Sequence, residues 1–151
     1  MRLAVGLQIR WLQQLSYIEE VDQVPEFSLD AIAALEDLVT VFTPEEATRV
    51  KAIERRTNHD VKALEYYIKE KLENIPEVLD YREFVHFACT SEDINNLAHG
   101  MMLKQALDEI LLPAMERVVE SLAALAEDLA DVPMLSRTHG QVFVFLRLPY
   151  P

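Results

Sequence analysis

Apolar side chains recur along this chain at steps of three and four, the spacing that gathers them on one face of a helix. Leu7, Trp11, Leu15 and Ile18 mark a first stripe within residues 3–21, which Val24-Pro25 closes. Ile32, Leu35, Leu38 and Val39 predict a second helix from about Leu29 to Val41. Thr43-Pro44-Glu45-Glu46 then offers a capping hydroxyl, a proline at the first helical position and a glutamate three residues after the cap. A third helix is expected from there to about Arg56. Val61, Leu64, Tyr67, Ile68 and Leu72 form a fourth stripe that ends at Pro76, with Asn58 as the expected cap and Asp60 in the first turn, where a negative charge suits the helix dipole.

The longest stripe follows an apolar run, Phe84-Val85-His86-Phe87-Ala88, that stops at a polar turn. Thr90 is the expected N-cap and Asp93 stands three residues on, where a carboxylate can answer it. Leu103, Leu107, Ile110, Ala114, Val118, Leu122, Leu125 and Leu129 then recur at steps of three or four within one predicted helix from about Glu92 to Ala130. Such a length needs a partner helix along it, and part of the stripe is expected to pack on other subunits in a homo-oligomeric bundle. Pro113 inside it predicts a kink without an end. With only 3 glycines and 7 prolines in 151 residues, the composition points to an all-α chain, large enough for one domain with its own core.

Charge narrows the partners. Lysine and arginine total 14 against 26 acidic residues, a formal net charge of −12, which disfavours non-specific binding to nucleic acid or to an anionic membrane. An anionic ligand must therefore meet positive groups that are few and local, or that come from another chain. Cys89 is the only cysteine, so no intrachain disulfide forms; its apolar neighbours suggest a buried structural thiol in a reducing compartment. The first ten residues lack a secretory pattern and no apolar run reaches the ~20 residues of a membrane helix, so a cytoplasmic location is expected. No histidine, cysteine or acidic residues stand at metal-ligand spacing, and no cofactor is expected.

Three polar places could carry chemistry. A helix beginning at Thr90-Ser91 leaves backbone N–H groups and hydroxyls free to receive an anion, although the same residues also serve as a plain cap. His139 precedes Gly140, whose conformational freedom suits a turn that could aim the ring; imidazole is the commonest general acid or base near neutral pH. Asn58-His59-Asp60 reads either as a helix junction with a surface histidine or as part of a polar site. His86 is expected in the core and His99 on a solvated or intersubunit face.

Taken in order, Thr57-Asn58-His59-Asp60-Val61-Lys62-Ala63, Phe87-Ala88-Cys89-Thr90-Ser91-Glu92-Asp93-Ile94-Asn95-Asn96 and Ser136-Arg137-Thr138-His139-Gly140-Gln141 resemble the adenylosuccinate lyase family of the fumarase/aspartase superfamily. The resemblance runs from about Arg10 to Gln141, and the Phe-Ala-Cys-Thr-Ser segment has the bacterial form. It implies an amino-terminal helical domain over 1–89, the beginning of a central long-helix bundle over 90–141 and a tail over 142–151 that departs from the family. It also implies elimination of fumarate from adenylosuccinate to give AMP, with the equivalent step on an earlier imidazole intermediate of purine synthesis. The expected partners are that nucleotide substrate and a family homotetramer. By the same resemblance His139 is the general acid, and Asn58, His59, Asp60, Thr90 and Ser91 bind substrate.

After Gln141 the family pattern gives way to Val142-Phe143-Val144-Phe145-Leu146-Arg147-Leu148-Pro149-Tyr150-Pro151. The family's serine base and its amino-terminal phosphate-holding segment have no counterpart in this sequence. The expectation is a truncated or frame-shifted copy with little activity alone, and a β-prone tail that promotes association. Argininosuccinate lyase would share the Thr-His-Gly pattern, but the other two segments argue against it. A non-catalytic helical oligomerisation module is the alternative from another class.

Overall fold

The computed structural model describes residues 1–146 and divides the chain into two units, one from Met1 to Leu103 and one from Lys104 onward. The first unit holds helices α1 (Arg2–Leu15), α2 (Leu29–Thr40), α3 (Pro44–Thr57), α4 (Asp60–Leu72) and the short α5 (Pro76–Leu79). A 3₁₀ turn at Arg82–Phe84 leads to α6 (Ser91–Ala106), whose last residues enter the second unit. A π-helical turn at Leu107–Leu111, α7 (Leu112–Asp128) and strands β1 (Met134–Thr138) and β2 (Gln141–Leu146) complete that unit.

Helix α4 is the centre of the first unit, packed on α1 and α3. Its residues Val61, Ala63, Ile68 and Leu72 join Val5, Ile9, Leu12, Leu35, Val50 and Val85 in a core closed to solvent. The caps follow the sequence: the Thr43 hydroxyl accepts the Glu46 N–H at 3.4 Å, and the Ser28 hydroxyl accepts the Ala31 N–H at 3.2 Å. Glu77 in turn accepts the Ser28 N–H and O–H, each at 2.6 Å, tying α5 to the start of α2.

Three elements differ from the patterning. Helix α1 stops at Leu15 and turns follow, because the Ser16 hydroxyl donates back to the Gln13 carbonyl at 2.7 Å and competes with the helical ladder. The long stripe is not one α-helix: Pro113 lies in the first turn of α7, and the π turn falls immediately before it. Proline has no N–H to give and its ring crowds the carbonyl four residues back, that of Glu109, so the ladder widens there. Past Pro133 an antiparallel hairpin forms, with a register shift between Ser136 and Arg137. Residues 142–146 of the stretch expected to be a tail pair within β2, while residues 147–151 lie outside the described residues. The fold is otherwise all-α, and among the described residues no helix is long and apolar enough to cross a membrane.

Candidate functional site

Two helix starts and the turn before one of them build the site in the first unit. Asn58 has φ 52°, a left-handed conformation that closes α3, and its N–H donates to the Glu54 carbonyl at 2.8 Å. A residue in that conformation cannot also supply the extended backbone an N-cap needs, so the predicted cap moves on by one. His59 takes it (φ −153°, ψ 125°), and its Nδ1 accepts the Lys62 N–H at 3.2 Å. Asp60 stands in the first turn as expected, where its carboxylate accepts the Val61 N–H at 2.8 Å.

The second start is shaped by a strained turn. Ala88 has φ 59°, which costs a residue with a Cβ on the order of 1 kcal/mol. The Trp11 indole N–H donates to the Phe87 carbonyl at 2.8 Å and anchors the turn to α1. The chain then enters α6, where the Thr90 N–H donates to the Asp93 carboxylate at 2.7 Å, the reciprocal half of a capping box. Ser91 Oγ comes within 3.3 Å of His59 Nε2 and joins the two starts.

A cavity of about 240 Å³ opens at this junction, lined by His59, Lys62, Glu65, His86, Cys89, Thr90 and Ser91. A larger cleft of about 730 Å³ also reaches His59 and is lined by Lys51, Glu54, Arg55, Asn58 and Asp60 with it. Lys51 is bound to Glu54 at 2.7 Å, whereas Arg55 makes no ion pair among the described residues. Lys51 and Arg55 line the cleft and Lys62 the cavity. Burial and the nearby Asp93 carboxylate push the Cys89 thiol up.

Of the residues expected from the sequence, His59, Thr90 and Ser91 share one cavity, while Asn58 and Asp60 line the adjoining cleft. His139 belongs to the second unit. It is exposed in the two-residue turn between the strands, with φ 53° followed by 76° at Gly140, the positive pair that suits the twist of a tight hairpin. His86 was expected in the core but is half-buried at the cavity wall, its Nδ1 buried and without a partner among the described residues. A turn has no regular period, so the pattern held no signal for it.

Glu65 and Lys62 were missed as well, though a signal existed. Glu65 occupies a buried-stripe position between Val61 and Leu72, flanked by lysines three before and four after. It is 4% exposed and bonds Lys62 Nζ and Lys69 Nζ at 2.8 Å each. Burial acts to raise its carboxyl, but the two ammonium groups outweigh that and hold it below the ordinary glutamate range.

A family model described as Lyase matches residues 8–148. The chain belongs to that lyase family. Its relatives include an adenylosuccinate lyase of Escherichia coli strain K12, 50% identical over 141 residues that make up 93% of this chain and 31% of the relative. An adenylosuccinate lyase of Haemophilus influenzae strain Rd is 49% identical over the same shares. One of Vibrio cholerae strain O395 is 50% identical over 89% of this lyase chain and 30% of its own length. The lyase chain thus spans less than a third of the length of these curated relatives.

Proposed function

We propose that this chain serves an adenylosuccinate lyase, which eliminates fumarate from adenylosuccinate to give AMP and performs the equivalent step on an imidazole intermediate of purine synthesis. The observation that carries the reading is the meeting of His59 with Thr90-Ser91 at one cavity formed by two helix starts. Backbone N–H groups, hydroxyls and a helix dipole suit a carboxylate, such as those of a succinyl group. Asn58, His59, Asp60, Thr90 and Ser91 are the proposed binding residues. In the reaction the C–N bond breaks, the neighbouring C–H proton leaves to a base, and the electron pair becomes the C=C bond of fumarate. The departing purine nitrogen takes a proton, and His139 is the proposed donor, since imidazolium gives up a proton near neutral pH.

The reading includes a cytoplasmic homo-oligomer of the kind the resemblance implies, with the helical domain over 1–89 and the bundle beginning at residue 90. Met115, Val118, Leu122 and Leu125 along α7 and its C-cap Leu129 stand at alternating steps of three and four, each exposed, and α7 buries none of its residues. That seam suits a partner helix. The same face favours a second reading, a non-catalytic assembly module, which requires no nucleotide binding. Calorimetric titration with adenylosuccinate separates them. Saturable binding by the wild-type chain, weakened about tenfold or more in Ser91→Ala, is expected for the lyase reading from the loss of one hydrogen bond to a charged group. Equal affinity in the variant would remove Ser91 from the site, and no heat at all would favour the assembly module.

A further inference from the structure

We propose that His59 is a positioning residue: the start of α4 fixes its tautomer, and this makes the Ser91 hydroxyl a dedicated donor to an oxyanion in the cavity. The inference rests on the reading that this cavity receives a substrate carboxylate. The backbone N–H of Lys62 donates to His59 Nδ1 at 3.2 Å, so Nδ1 must present its lone pair and a neutral ring carries its proton on Nε2. Nε2 is 3.3 Å from Ser91 Oγ. In that pair the ring donates and the hydroxyl accepts, and the Ser91 proton is left to turn to a third atom. A hydrogen-bond chain therefore runs one way, from the α4 backbone through His59 and Ser91 to the ligand, each donor strengthening the next.

The Asp60 carboxylate does not reverse this direction. Its Oδ1 lies 3.5 Å from His59 Nδ1, beyond ordinary N–H···O reach, and already accepts the Val61 N–H at 2.8 Å. His86 lines the same cavity, and its Nδ1 is buried without a partner among the described residues. Lys62 lines the same cavity, its ammonium held by Glu65 at 2.8 Å. A group that only accepts, such as a carboxylate, satisfies the Ser91 proton.

Long-range 1H–15N spectra of the full chain with labelled histidine, assigned through the signal lost in His59→Asn, test the wiring directly. The expected result is the Nε2–H tautomer of His59 at neutral pH, both in the wild type and in Ser91→Ala, because the cap and not the serine sets it. A proton on Nδ1, or a tautomer that changes in Ser91→Ala, overturns the proposal. His59→Asn supplies the second arm, since asparagine caps a helix well but has no group in place of Nε2–H. The folding midpoint is expected to hold while adenylosuccinate binding weakens about tenfold; unchanged binding overturns the relay. A wild-type chain that shows the Nε2–H tautomer yet binds no adenylosuccinate overturns the functional reading instead, and with it the assignment of the acceptor.

Discussion

Ile68→Ala is expected to cost the first unit about 3–4 kcal/mol of stability, the range for removing a large aliphatic side chain from a closed core. Ile68 is fully buried and lies on the helix that packs against both α1 and α3. Three packed helices leave little room to collapse onto the vacated volume, so the lost contacts are not recovered. The same helix begins at His59, so the rigidity of the core is passed to the candidate site. Urea unfolding of wild type and variant measures the effect. A loss below about 1 kcal/mol would mean that α4 is not the central helix.

Glu65→Ala is expected to cost about 2 kcal/mol at neutral pH, because it removes charged hydrogen bonds and leaves Lys69 next to the core with one of its two carboxylate partners gone. Lys69 bridges Glu65 at 2.8 Å and Glu83 at 2.6 Å, so the charges alternate from Lys62 to Glu83. Desolvation lowers the Lys69 ammonium, but hydrogen bonds to the two carboxylates outweigh it and hold it above its ordinary range. For Glu65 the folded value is depressed. Its contribution is therefore complete above the ordinary glutamate value of 4.5 and is lost as pH falls through the lower folded value. Glu65→Gln keeps the shape without the charge and should flatten that acid limb. Unfolding free energies measured from neutral pH down past 4.5 provide the check. Parallel curves for wild type and Glu65→Gln would show that Glu65 does not supply the limb.

The helices were legible because apolar spacing and caps act locally. Thr43-Pro44-Glu45-Glu46 announced α3, and the answering Asp93 was visible at the start of α6. Part of what failed to show depended on partners remote in sequence. Gln8 looks like a surface residue, yet it is fully buried, and neither of its amide atoms has a partner among the described residues. The junction at Asn58-His59 was read one residue out, since either side chain could cap and only the left-handed backbone of Asn58 decides between them. Pro113 was expected to kink the long helix, and the π turn before it was not foreseen. The contact between His59 and Ser91, thirty-two residues apart, follows from tertiary packing that no local pattern encodes.

The most direct test of the account is a titration of adenylosuccinate into the 15N-labelled chain, followed at backbone amides and histidine side chains. Saturable shifts are expected at His59, Thr90 and Ser91, with core positions such as Leu35 and Leu12 unmoved. Saturating ligand that leaves those three residues unshifted would contradict it.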